Sequence, residues 1–156
     1  MKTIQPILKN KNFSVFKVPH ITTTTEIKLI SSPINAGFPS PADDYIEDII
    51  DLNLLMIKHP SSTYILKVKG ASMIDAGIFD KSLIIVDASL QTLNNDIAVC
   101  IIDGEFTLKR ISIEGGKIYL MPENKSYKPI EIKEGSNLTV WGVITWVLNK
   151  PNNKRM

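Results

Sequence analysis

The stretch Ile97-Ala98-Val99-Cys100-Ile101-Ile102-Asp103-Gly104-Glu105-Phe106-Thr107-Leu108-Lys109-Arg110-Ile111-Ser112-Ile113 decides how this chain is read. Two runs of β-prone residues flank Asp103-Gly104. Asp-Gly in that setting is a strong hairpin signal, because both central residues of a type I′ turn need positive φ. The first run is a continuously apolar strand pattern. The second mixes apolar and polar positions, as a half-buried strand does.

Working outward, the same texture continues on both sides. Downstream lie KIYLMPE, PIEIKEG and LTVWGVITWVLN, punctuated by Gly115-Gly116 and Glu134-Gly135. Upstream lie SLIIVDAS, a buried-strand pattern, and TYILKVKG, with Ile65 and Val68 among its apolar positions. Several short strands at this spacing imply a mostly β protein with a compact, mostly antiparallel domain. A short helical segment is expected before it. Ser40-Pro41-Ala42-Asp43 has the cap, first-turn proline and acid of a helix start, and Tyr45, Ile46, Ile49 and Ile50 then fall at helical spacing. Asp51 is placed to cap a second short piece, LNLLMIK, that stops before Pro60.

Residues 1–40 show no sustained period. They hold four consecutive threonines (22–25), with prolines at 6, 19, 33 and 39. The pieces FSVFKV and EIKLI are long enough to pair as edge strands but not to make a core alone. An extended, partly ordered arm is the expectation.

Composition bounds the function classes. The chain has 156 residues, room for one domain and an appendage, and 44% hydrophobic with 22% charged residues is ordinary for a soluble protein. No run approaches the roughly 18 apolar residues of a membrane span, and the first residues lack the core of a signal peptide. A cytoplasmic, non-membrane protein is expected. Cys100 is the only cysteine, which excludes a disulfide framework within one chain; in IAVCII it reads as a small buried hydrophobe. The net charge of +2 is too small to suggest a nucleic-acid binder. It is unevenly spread: residues 1–36 carry five lysines and one acid, a net of +4, which leaves −2 for the rest.

Two residues stand out chemically. Ser72 lies in Gly70-Ala71-Ser72-Met73, where the glycine permits a sharp turn that would expose a nucleophile. A serine needs a base to take its proton. The two histidines, His20 and His59, sit in no motif. Lys109 could be that base only if burial lowers its pKa from the usual ~10.4. Alternation puts Lys109 on one face with Thr107 and Ile111, and adjacent Arg110 would further oppose a second positive charge. Periodicity alone favours a solvent-facing strand lysine.

Several segments in one order narrow the reading. They are Ala36-Gly37-Phe38-Pro39-Ser40-Pro41-Ala42-Asp43-Asp44-Tyr45, Ile50-Asp51-Leu52-Asn53, His59-Pro60-Ser61, Gly70-Ala71-Ser72-Met73-Ile74-Asp75, Leu83-Ile84-Ile85-Val86-Asp87 and Asp103-Gly104-Glu105-Phe106-Thr107-Leu108-Lys109. With these the chain resembles the UmuD-like members of the LexA/signal-peptidase-like (S24) group of Ser-Lys self-cleaving proteins, over about residues 36–148. The resemblance implies a LexA-C-terminal-like β domain over 37–156 and a cleavable N-terminal arm over 1–36. It implies Ser72 as nucleophile, neutral Lys109 as general base, and the Ala71 and Ser72 N–H groups as oxyanion hole. The cut bond would be Ala36-Gly37. It further implies a homodimer, stimulation by a RecA–single-stranded DNA filament, and a UmuC-like Y-family polymerase subunit as partner in translesion synthesis during the SOS response. No cofactor, metal, membrane or sequence-specific DNA contact is implied. Ala36 and Ala71 depart from the UmuD-like pattern, the first replacing another small residue and the second an acidic one. The rival classes are a LexA-like or phage-like repressor, for which 36 residues leave little room for a helix-turn-helix, a membrane-anchored signal peptidase, and a non-catalytic binding module of the same fold.

Overall fold

The computed structural model describes residues 8–9, 13–17, 26–30 and 47–151. Its strands are β1 (Leu8–Lys9), β2 (Phe13–Lys17), β3 (Glu26–Ile30), β4 (Glu47–Asp51), β5 (Thr63–Val68), β6 (Leu83–Asp87), β7 (Ile97–Ile102), β8 (Glu105–Glu114), β9 (Lys117–Met121), β10 (Ile130–Ile132) and β11 (Leu138–Leu148). One helix, α1 (Leu52–Met56), and one 3-10 turn, Ile74–Ala76, complete the described elements. The chain divides into two compact units, one of residues 1–19 with 59–156 and one of residues 20–58.

The first unit holds a nine-stranded sheet in the order β1-β2-β5-β6-β11-β7-β8-β9-β10, and every pairing is antiparallel. The β7–β8 hairpin is the one expected. Ile102 pairs with Glu105, and the two residues between, Asp103 and Gly104, have φ of 49° and 84°. Gly115-Gly116 repeats the device between β8 and β9, where φ is 57° and 78° and Glu114 pairs with Lys117. Strand β11 lies between β6 and β7 and shifts register on both, at Val140/Gly142 and at Ile144/Trp146. Such bulges increase local twist. Trp141, the residue skipped at the first shift, is in ring contact with Tyr64 and Phe106.

Apolar side chains collect in two clusters. One contains Val15, Leu66, Val68, Met73, Ile78, Ile84, Val86, Val99 and Leu108; the other contains Ala98, Cys100, Ile111 and Leu120. Strand β7 feeds both, with Val99 in the first and Ala98 and Cys100 in the second. This explains its continuous apolar run, since both of its faces are covered. Cys100 is fully buried, as its sequence suggested. On β5 the inward positions are Leu66 and Val68, whereas Ile65 points the other way and is half-buried.

Among the first forty residues, those described are 8–9, 13–17 and 26–30. FSVFKV supplies β2, which pairs with β5 over five residues, and its Val15 is buried in the first cluster. EIKLI supplies β3, which pairs with β4 in the second unit. Here one expectation is corrected. Ile49 and Ile50, read at helical spacing with Tyr45 and Ile46, lie on strand β4. Two β-branched residues favour a strand, and the pairing Ile49–Lys28 and Ile50–Ile27 supplies hydrogen bonds that so short a helix would gain only after a costly nucleus. Tyr45, Ile46 and the Ser40-Pro41 start lie outside the described residues. The second helical piece is as expected, with Asp51 Oδ1 accepting the Asn53 N–H at 2.8 Å as its cap.

Candidate functional site

Ser72 stands where β5 has ended and the 3-10 turn has not begun. Gly70 has a φ of 107°, which a side chain would oppose, and its N–H is held by Asp80 Oδ1 at 3.0 Å. The chain turns there, and Met73, only 2% exposed, pins the far side of the turn into the core. A second segment grips the turn from outside. The Glu123 N–H donates to the Ser72 carbonyl at 2.9 Å, the Asp75 N–H donates to the Glu123 carbonyl at 2.8 Å, and Asn124 Nδ2 donates to the Ala71 carbonyl at 2.7 Å.

Lys109 reaches this turn from β8. Its Nζ lies 3.2 Å from Ser72 Oγ, 3.1 Å from Thr107 Oγ1 and 2.9 Å from the Leu108 carbonyl oxygen. The shared face of Lys109 and Thr107, read from alternation, is what makes the second contact. Lys109 is 7% exposed, and burial pulls its pKa below the usual lysine value. The Cys100 thiol nearby acts weakly in the opposite sense. Arg110 contributes nothing to that shift: it binds the Glu123 carboxylate through Nε and the Asn95 carbonyl through Nη1 at 2.7 Å. The same burial pushes the Cys100 thiol up to about 11, so the thiol stays protonated and inert at neutral pH.

A cavity of about 20 Å³ lies beside Ser72, lined by Val68, Lys69, Gly70, Met73, Ile78 and Leu108. It has room for about one water-sized group, and its walls are mainly apolar. The site therefore combines a hydroxyl, a buried amine in hydrogen-bond range of it, and a hollow suited to a very small side chain.

Sequence reasoning had placed Ser72 and Lys109, and the fold brings them together. Ala71 precedes Ser72 in the same turn, and among the described residues neither the Ala71 nor the Ser72 N–H has an acceptor. Ala36 and Gly37 lie outside the described residues. By sequence Thr107 is only a same-face neighbour of Lys109, and nothing in the sequence singles out Glu123 or Asn124. The one local signal for them is Pro122, which ends β9 and starts a loop; nothing in Met121-Pro122-Glu123-Asn124 points to Ser72. A second polar cluster is likewise not singled out by the sequence. Asp87, 3% exposed, accepts from Ser62 Oγ, Ser89 N–H and Ser89 Oγ, and pairs with His59 Nδ1 at 2.5 Å. Burial would raise its pKa, but those hydrogen bonds outweigh it and hold the value at about 2. Among the described residues, no group of His, Cys, Asp and Glu could hold a metal ion, and no helix is long and apolar enough to cross a membrane.

Comparison with known proteins gives the family. A family model described as Peptidase S24-like matches residues 28–145. The LexA repressor of Clostridium perfringens is 43% identical over 117 residues, covering 72% of this chain and 58% of the repressor. Protein MucA of Salmonella typhimurium is 40% identical over 113 residues, covering 72% of this chain and 77% of that protein. Protein SamA of Salmonella typhimurium is 37% identical over 115 residues, covering 74% and 79%. The chain thus spans 58% of the length of the first of these relatives.

Proposed function

The chain belongs to the peptidase S24-like family, and on that premise we propose that it is a serine peptidase that cuts its own Ala36-Gly37 bond with Ser72 and Lys109. The observation that carries this reading is the buried Lys109 Nζ at 3.2 Å from Ser72 Oγ. A neutral amine has two hydrogens and one lone pair. Thr107 Oγ1 and the Leu108 carbonyl oxygen are placed to take the two hydrogens. The lone pair is then left for the Ser72 hydroxyl.

In the first step Ser72 Oγ bonds to the Ala36 carbonyl carbon while its proton passes to Lys109. The carbonyl oxygen becomes an oxyanion, met by the Ala71 and Ser72 N–H groups. Lys109 returns the proton to the Gly37 nitrogen and the C–N bond breaks. Water then attacks the ester carbonyl while its proton passes to Lys109, the proton is returned to Ser72 Oγ as the C–O bond breaks, and residues 1–36 end in the Ala36 carboxylate. The cavity of about 20 Å³ beside Ser72 suits the Ala36 methyl and would exclude larger side chains. Tethering the bond to its own nucleophile replaces a bimolecular encounter, so a rarely populated placement of the Ala36-Gly37 bond at Ser72 suffices for slow, regulated cutting.

The wider role follows the same line. The protein acts in the cytoplasm as a homodimer in the SOS response, is stimulated by a RecA–single-stranded DNA filament, and after trimming serves a UmuC-like Y-family polymerase in translesion synthesis. The likeness to MucA and SamA over more than two thirds of each supports it. The likeness to the LexA repressor favours a second reading, a self-cleaving regulator. Incubation with an activated filament, followed by N-terminal sequencing of the product, tests the first. Accelerated release of a fragment beginning at Gly37 is expected; absence of acceleration, or a different first residue, overturns it. Sequence-specific binding of duplex DNA by the intact chain would favour the regulator.

A further inference from the structure

We infer that Asn124 is a positioning residue that aims the oxyanion hole, an inference that rests on the peptidase reading above. The Ala71 carbonyl and the Ser72 N–H belong to one planar trans peptide group and point in opposite directions. Whatever fixes the first fixes the second. Asn124 Nδ2 donates to the Ala71 carbonyl at 2.7 Å, and this is a side-chain contact from a distant loop. The orientation of the amide is itself determined: Asn124 Oδ1 accepts the Ser126 N–H at 2.9 Å, so the nitrogen must face Ala71.

The next peptide group is held from the same loop, through the Glu123 N–H on the Ser72 carbonyl. Two consecutive peptide groups around the nucleophile are therefore oriented by two consecutive loop residues. The loop is moored in turn. The Glu123 carboxylate pairs with Arg110, and Arg110 follows Lys109 on β8. The strand that carries the base thus also braces the loop that aims the nucleophile's N–H. The amine and the oxyanion donor are set by separate contacts, so they can be perturbed separately.

The test measures self-cleavage of the full chain against pH for wild type, Asn124→Ala and Asn124→Asp. Asn124→Asp keeps the acceptor for Ser126, loses the donor to Ala71 and adds a negative charge. Asn124→Ala leaves the charge around Lys109 unchanged. The plateau rate is expected to fall about a hundredfold in both, the scale of losing one oxyanion donor. The midpoint of the Asn124→Ala profile should stay at the wild-type pH, because Lys109 keeps its surroundings. A residue that merely stabilised the loop would let water reach Lys109 and move the midpoint upward. In parallel, Ser72 is labelled with a fluorophosphonate: Oγ bonds to phosphorus, fluoride leaves, the proton goes to Lys109, and the phosphoryl oxygen takes the oxyanion position. Labelling should slow by the same factor. An Asn124→Asp rate within about twofold of wild type, or a midpoint shift that accounts for the whole loss, overturns the inference. A wild type that labels but does not cut removes the self-cleavage reading and leaves the labelling rates to decide this one. A wild type that does neither overturns both.

Discussion

Replacing Lys109 by methionine should make the folded chain's stability lose one specific pH dependence. Lys109 is 7% exposed, and its Nζ partners are the Ser72 hydroxyl, the Thr107 hydroxyl and the Leu108 carbonyl. Among the described residues no carboxylate pairs with it, so burial of the ammonium is not offset by an opposite charge. Its folded-state pKa therefore lies below the unfolded value of ~10.4. Between those two values the unfolded chain binds more protons than the folded one. Stability consequently rises with pH across that window, by up to about 1.4 kcal/mol per pH unit. Below both values the penalty is constant and at its largest. In a Ser72→Ala background, where self-cleavage cannot interfere, urea unfolding of the lysine and Lys109→Met proteins from about pH 7 to about pH 10 isolates the effect, since the other titrating groups are common to both. The lysine protein should gain on the methionine protein as pH rises. A difference that stays flat across the range would mean a lysine that titrates as if solvated, and the argument for a neutral base would fail.

Three further outcomes follow from the structure. Thr107→Val removes one of the two acceptors that orient the Lys109 amine, and self-cleavage at fixed pH should slow by about tenfold, measured by gel or mass with unfolding curves as the control for stability. Asp87, held at about 2 against an unfolded value near 3.8, contributes on the order of 2 kcal/mol that is present above about pH 4 and lost as pH falls toward 2; Asp87→Asn should erase that acid limb in pH-dependent urea melts. A Cβ at Gly142 would lie 2.7 Å from Val86 Cγ1, 3.1 Å from the Asp87 carbonyl oxygen and 3.2 Å from Ala88 Cα, and Val86 is fully buried. Gly142→Ala should therefore cost about 1–3 kcal/mol in chemical denaturation.

Much of the β domain was legible because its signals are local. Asp103-Gly104 dictates its turn through backbone sterics, and the apolar runs of β6 and β7 report burial directly. The first forty residues were harder. FSVFKV looks no different from an edge piece, and only the partner strand β5 makes Val15 a core residue. Ile49 and Ile50 fit helical spacing by sequence yet lie on β4, because four residues cannot separate a period of 3.6 from a pair of β-branched neighbours in a strand. At the site, the order of several matched segments singles out Ser72 and Lys109, whereas periodicity alone favours a solvent-facing Lys109. Its burial beside Ser72 comes from three-dimensional packing, which periodicity does not report. Glu123 and Asn124 act through a backbone N–H and carbonyl and a side-chain amide placed by tertiary contact, and such roles leave no local pattern to read. The Asp87 cluster is of the same kind, since its partners come from opposite ends of β5 and β6 in sequence.

The central claim is that Ser72 and Lys109 together cut the Ala36-Gly37 bond. The most direct measurement is the denatured intact mass of the purified chain after incubation at alkaline pH, which deprotonates the lysine without any partner, beside Ser72→Ala and Lys109→Ala. The expected result is a fragment beginning at Gly37 in the wild type and in neither variant. An intact wild type, or a Gly37 fragment that persists in Ser72→Ala, would contradict it.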